Sequence, residues 1–150
     1  MNCFRKKGGN RESLFMAGYS GKPLAQKLGI KPGMKLLFVN SPENYLQLLG
    51  DLPQDSKQVK DKTASVDFAH LFVKKISEME KFLPSLVKRL EQNGMIWISW
   101  YKKSSGISTD VSEDLIRATA FPLGLVDVKV CAIDEQWSGL KLVIRKENRK

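Results

Sequence analysis

The stretch Met34-Lys35-Leu36-Leu37-Phe38-Val39-Asn40-Ser41-Pro42-Glu43 decides the fold. Its apolar run has the length and continuity of a strand buried on both faces of a parallel sheet. The run stops at Asn40, and Ser41-Pro42-Glu43 reads as a helix start. Serine can cap the helix, proline in the first turn loses no hydrogen bond, and glutamate sits where the helix is positive. Tyr45, Leu46, Leu48 and Leu49 then give an apolar helix face until Gly50 and Pro53 stop it. A buried strand feeding directly into a helix is the first half of a crossover between parallel strands.

Working outward, Pro23 to Leu28 can make two helical turns closed by Gly29, and Lys31-Pro32-Gly33 turns the chain into the strand. Downstream, Gln58 to Lys62 is a candidate short second strand, and Val66 to Val73 a third with His70 in its middle. A helix follows, with Ser77 and Glu80 as a capping box and Ile76, Met79, Leu83, Leu86 and Leu90 along one face. Pro84 predicts a kink or two consecutive pieces. Asn93-Gly94 closes that helix, and Met95 to Tyr101 is another buried-type strand. Asp110 and Glu113 open a further helix, which reaches about Ala120 and is ended by Pro122. Leu125 to Ile133 and Leu140 to Ile144 alternate around a turn, as an antiparallel hairpin does. The expected fold is a single three-layer, Rossmann-like α/β domain, mainly parallel, with a C-terminal antiparallel hairpin.

Composition bounds the function. The 150 residues are 42% hydrophobic and 27% charged, ordinary values for one folded domain. The net charge of +9 suggests a nucleic-acid binder until its placement is read. Arg5, Lys6, Lys7 and Arg11 against Glu12 give +3, and Arg145, Lys146, Arg149 and Lys150 against Glu147 give another +3, leaving +3 for residues 13–144. Basicity concentrated at the ends counts against nucleic acid as the partner. Residues 1–16 read as a flexible basic leader, 17–146 as the domain and 147–150 as a basic tail, with Met16 an alternative start to Met1. Cys3 and Cys131 define neither a disulfide framework nor a zinc motif, which suits a reducing cytoplasm. The longest apolar runs are too short for a membrane span, and Arg5-Lys6-Lys7 is followed by Gly8-Gly9 instead of an apolar signal segment.

In an open α/β sheet the ligand crevice lies outside the carboxyl ends of the parallel strands. That rule gathers Asn40, Ser41 and Glu43 after the first strand, Lys74 and Lys75 after the third, and Lys102, Lys103, Ser104 and Ser105 after Tyr101. If the Leu125 strand is also parallel, Asp134, Glu135, Trp137 and Ser138 join them. Asn40, Ser41, Glu43, Lys102, Lys103, Asp134, Glu135 and Trp137 are the ligand-binding candidates; no catalytic residue and no metal ligand is assigned. His70, in an apolar run, reads first as a packed core residue. Trp97 and Trp100, three apart on a strand, face opposite sides.

At Leu28-Gly29-Ile30-Lys31-Pro32-Gly33-Met34-Lys35-Leu36-Leu37 the chain resembles the approach to the first strand of class I S-adenosylmethionine-dependent methyltransferases, and its later element order is similar to the second half of that fold. The resemblance implies a truncated methyltransferase-like domain. That family follows its first strand with a glycine-rich loop and ends its second with an acidic residue for the ribose hydroxyls. Here the loop is Asn40-Ser41-Pro42-Glu43, and too few residues separate Val59 from Val66 for the usual helix and strand. The cofactor therefore stays unknown, with S-adenosylmethionine counted against. The stretch from Gly18 to about Lys146 also resembles a family of small bacterial proteins of unknown function, carried by Ala17-Gly18-Tyr19-Ser20-Gly21, Trp97-Ile98-Ser99-Trp100 with Lys102 to Gly106, and Val126 to Ala132 running into Trp137-Ser138-Gly139-Leu140-Lys141. The expectation is a non-catalytic domain binding a small ligand or protein partner at the sheet's carboxyl edge. The alternatives are a divergent small enzyme, such as an S-adenosylmethionine-dependent transferase working through Asp134, Glu135, His70 or Lys102, and a non-specific nucleic-acid binder acting through its basic termini.

Overall fold

The computed structural model describes residues 23–150. The expectations for residues 1–22, a leader over 1–16, a fold beginning near Gly18 and a start at Met16, lie outside the described residues.

The apolar run at Leu36 forms β1 (Lys35–Val39), and there the chain changes direction across the sheet. It first adds β2 (Lys57–Gln58) on one side, then crosses to β3 (Val66–Phe72) on the other, both parallel to β1. β4 (Leu90–Tyr101) lies parallel to β3, and the hairpin of β5 (Leu125–Ala132) and β6 (Trp137–Ile144) closes the sheet with β6 antiparallel to β4. The six strands stand in the order β2-β1-β3-β4-β6-β5.

Alternation along the strands divides the core in two. On one face, Ala69 and Leu71 of β3 and Ile96 and Ile98 of β4 pack with α3 (Ile76–Arg89) through Met79, Leu83 and Leu86, and with α4 (Glu113–Ala120) through Ile116 and Ala120. On the other, Phe68, Phe72, Met95 and Trp97 pack with α1 (Leu24–Leu28) and α2 (Tyr45–Leu49). The result is helix, sheet, helix: the three-layer α/β domain expected. Trp97 and Trp100 fall on opposite faces, again as expected.

The departures are local and have physical causes. Ser41 does not cap α2; the Tyr45 N–H donates to the Pro42 carbonyl at 3.0 Å, and that turn delays the helix to Tyr45. The α3 start is not Ser77. The Glu78 carboxylate accepts from the Lys74 and Lys75 N–H groups at 2.6 and 3.0 Å, so the helix begins at Ile76. Pro84 lies inside one continuous α3. Asn93-Gly94 does not end that helix but lies within β4, where the pairing shifts from Leu90 with Val66 to Met95 with Phe68. A Cβ on Gly94 would stand 2.7 Å from Leu90 Cδ1 and 2.9 Å from the Asp67 carbonyl, so the irregularity needs glycine. Trp137 to Gly139, read as turn, belongs to β6. β2 is shorter than Gln58 to Lys62 and starts earlier: the Asp61 carboxylate accepts from the Thr63 N–H and hydroxyl, both at 2.8 Å, and Arg89 at the end of α3 donates to the Asp61 and Ala64 carbonyls. These bonds pull the chain back toward the start of β3.

Residues 147–150 are tied to the sheet's amino edge. Asn148 Nδ2 donates to the Gly124 carbonyl at 3.4 Å, and the Lys150 N–H to Gln92 Oε1 at 3.0 Å. Among the described residues no helix is long and apolar enough to cross a membrane.

Candidate functional site

The carboxyl end of β1 is the point where the strand order reverses, and such switch points open a crevice in α/β sheets. Asn40 closes β1 with φ +58°, in the left-handed region. Asparagine enters that region more readily than other residues with a side chain. The backbone therefore turns off the strand as it would at a glycine. Asn40, Ser41 and Glu43 are all exposed on this turn.

Beneath the turn, the first residue of α2 anchors it to the sheet. Tyr45 is 1% exposed, and its hydroxyl lies 2.6 Å from His70 Nδ1. The Ser99 hydroxyl lies 2.7 Å from His70 Nε2, so a neutral imidazole donates through one nitrogen and accepts through the other. Burial pushes the His70 pKa down to about 3 and the Tyr45 phenol well above its ordinary value. The histidine is neutral, sealed and structural, a core residue as its apolar run implied. It carries two hydrogen bonds because it bridges a helix and a strand.

The rest of the edge forms over β3, β4 and the hairpin turn. Lys74 and Lys75 follow β3 and are exposed. The Lys102 N–H donates to the Gln136 carbonyl at 2.8 Å, joining the end of β4 to the hairpin turn. Asp134 shapes that turn: one carboxylate oxygen accepts from the Gln136 and Trp137 N–H groups, each at 2.8 Å. Glu135 is exposed. Trp137 is not: at 5% exposure it stacks on Tyr101 at 4.0 Å and meets Phe72 edge-on at 5.0 Å. Its indole is thus a wall of the edge instead of a surface group. Lys103 and Ser104 are exposed, and the Ser105 hydroxyl closes their loop by donating to the Lys102 carbonyl at 2.7 Å. Ser138 lies in β6, paired with Trp100 and Ala132.

The edge therefore has two parts. Lys102, Asp134, Glu135, Trp137 and Ser138 adjoin one another, as the parallel alignment of β4 and β5 requires. Asn40, Ser41 and Glu43 stand two strands away, roughly 10 Å at the spacing of paired strands. A line of aromatic contacts joins the parts: Phe38 to Tyr45 at 4.9 Å, Tyr45 to Phe72 at 5.0 Å, then Trp137 and Tyr101. Lys74 Nζ lies 5.8 Å from the Tyr101 ring centroid, at the head of that line. Tyr45, Ser99 and Tyr101 went unnoticed as site residues because each sits in an apolar run. A phenol on an apolar helix face close after a buried strand, with a histidine on a later strand, is the signal that could have found the first. Among the described residues no group of three or more His, Cys, Asp or Glu side chains is placed to hold a metal ion.

Solved structures resemble this architecture at low sequence identity. An S-adenosylmethionine (SAM)-dependent methyltransferase from Aquifex aeolicus is 13% identical with a TM-score of 0.53, over 81% of this chain and 88% of its own. A TehB-like SAM-dependent methyltransferase from Corynebacterium glutamicum is also 13% identical with a TM-score of 0.52, over 86% and 91%. Magnesium protoporphyrin IX methyltransferase from Synechocystis, solved with bound SAH, is 11% identical with a TM-score of 0.52, over 81% and 78%. The fold is thus that of class I methyltransferases. No protein-family model and no curated protein matches the chain, so the resemblance to a small bacterial family gains no support.

These matches correct the expectation that counted SAM out, since two of these similar structures are SAM-dependent methyltransferases and the third holds SAH. Asn40 makes a left-handed turn at the end of β1 without glycine. At that turn the chain exposes Asn40, the Ser41 hydroxyl and the Glu43 carboxylate, groups of the kind that hydrogen-bond an adenosyl ribose or amino acid. Asp61, the first acid after β2, is exposed and accepts both Thr63 hydrogen bonds through one carboxylate oxygen.

Proposed function

We propose that the protein is a small SAM-dependent transferase whose cofactor lies over the carboxyl end of β1. The observation that carries this reading is the left-handed Asn40 at the switch point of a class I methyltransferase sheet. When bound, SAM supplies a methyl group activated by a sulfonium. The chain's own residues would position it: the Asn40–Ser41 backbone approaching the amino-acid portion, and the Glu43 carboxylate accepting hydrogen bonds from ribose hydroxyls in place of an acid after β2. Tyr45, bonded to His70, holds the turn against the sheet. The acceptor would approach from the Lys74, Lys102 and Lys103 side, along the wall of Trp137 and Tyr101.

A second reading, a binding domain without transfer, is favoured by the sealing of His70, the chain's lone histidine, between Tyr45 and Ser99. Calorimetry with SAM and SAH, together with release of SAH on incubation with acceptor extracts, separates the two. Asn40→Gly should keep cofactor binding and Asn40→Val should lose at least tenfold, because a β-branched residue resists the left-handed region. Absence of SAM and SAH binding, or equal binding by both variants, defeats the proposal. Binding without turnover selects the second reading.

A further inference from the structure

The carboxyl edge is not the one place where the fold concentrates charge. Lys129 of β5 and Lys141 of β6 are direct cross-strand partners, and Trp97 lies opposite Lys141 on the other side, so the three share a row on the α1 face of the sheet. Like charges directly opposite each other destabilise a sheet. A second pair borders this row. Lys27 of α1 donates to the Ala132 carbonyl at 3.0 Å, and Lys31 follows the same helix. Lys27 and Lys129 are both close enough to act on the half-buried Cys131 thiol. Burial first, and then Lys129 and Lys31, hold the Lys141 ammonium below its ordinary pKa. Among the described residues none of these four lysines forms an ion pair, whereas Arg117, Lys35 and Arg145 do. Exposed Val126, in the adjoining row, adds apolar floor beside the charge.

We propose that the basic surface where α1 meets the β5–β6 hairpin, formed by Lys27, Lys31, Lys129 and Lys141, binds the phosphate backbone of a nucleic acid. The cross-strand repulsion is a local cost that a polyanion relieves. Lysines act on phosphates as point charges without demanding one geometry, so this surface holds a backbone instead of reading a sequence. Four lysines gathered here, none in an ion pair among the described residues, make an extended polyanion a better match than an isolated anion. This site is on the sheet's α1 face, reaches the carboxyl edge where Lys27 meets Ala132, and does not depend on the transferase reading.

The test is fluorescence anisotropy of the full chain with a labelled single-stranded RNA of mixed sequence across a salt series. The double variant Lys129→Gln, Lys141→Gln should weaken binding about tenfold at low salt and reduce the salt slope by roughly 0.7 per lysine. Its thermal midpoint should stay the same or rise, because the repulsion is gone, so unfolding cannot mimic the result. Lys60→Gln, Lys62→Gln removes equal charge from an exposed loop and should do much less. The proposal is overturned if this control weakens binding as much, if the double variant at Lys129 and Lys141 changes neither affinity nor slope, or if poly-glutamate competes as well as RNA at equal charge.

Discussion

The two faces of the sheet are built from different chemistry. The buried core of the α3–α4 face is aliphatic: leucine, isoleucine, valine, alanine and methionine close it, Phe82 and Trp100 are only partly buried against it, and Arg117 pairs with Glu113, Asp114 and Asp127 at its rim. The α1–α2 face is aromatic and carries polar atoms inside. His70 stacks on Phe72 at 4.1 Å and bonds Tyr45 and Ser99, and Trp97 Nε1 donates to the Leu28 carbonyl at 2.9 Å. Aliphatic side chains can fill a core in many arrangements, whereas a buried polar network is satisfied in one. The face that needs one geometry is the face under the Asn40 turn and the one that carries the lysine cluster, and the face that needs only volume is the opposite one.

The sharpest contrast is in truncation. Trp97→Ala should cost about 3–5 kcal/mol by urea denaturation, and more than its volume implies, because the Leu28 carbonyl loses its donor. Leu83→Ala on the other face should cost about 2–5 kcal/mol and be partly restored by a volume-conserving methionine, as Trp97→Ala should not be. Equal rescue of both sites would erase the distinction between the faces.

Acid probes the same difference more gently. The unfolded chain protonates His70 near 6.5, whereas the folded chain holds it neutral to about 3. As pH falls through that window the unfolded state takes up a proton that the folded state refuses, so this group lowers stability by roughly 1.4 kcal/mol per pH unit. The loss begins below pH 6.5 and levels off near 3. Stability measured at stepped pH should show this slope in the native chain and a flatter profile in His70→Gln; an unchanged slope would remove His70 as its source. The smallest effect belongs to the rim of the aliphatic face. Arg117→Met should lower the thermal midpoint only slightly, and less in high salt, because its ion pairs are solvent-screened.

Much of this was legible before the structure. The element order, the parallel strand at Leu36, the hairpin and the opposed indoles follow from periodicity, which local residues set. Helix starts were misplaced because capping depends on which carboxylate actually reaches a free N–H: Glu78 does, and Ser77 does not need to. Gly94 looked like a helix terminator because glycine ends helices and relieves crowded strands equally well, and only the approach of Leu90 and the Asp67 carbonyl tells the two apart. The left-handed turn after β1 was not foreseen, since asparagine adopts that conformation far less often than glycine and nothing local marks Asn40 for it.

The sequence by itself determined the class of fold, the order of the elements and the placement of polar residues at the carboxyl edge, because hydrophobic period and strand direction are local properties that propagate through simple rules of connection. Tertiary structure alone decided that Tyr45, His70 and Ser99 form one network and that Lys27, Lys31, Lys129 and Lys141 converge. Those groupings depend on the register between strands distant in the chain and on where a helix lands. No single stretch of residues encodes either.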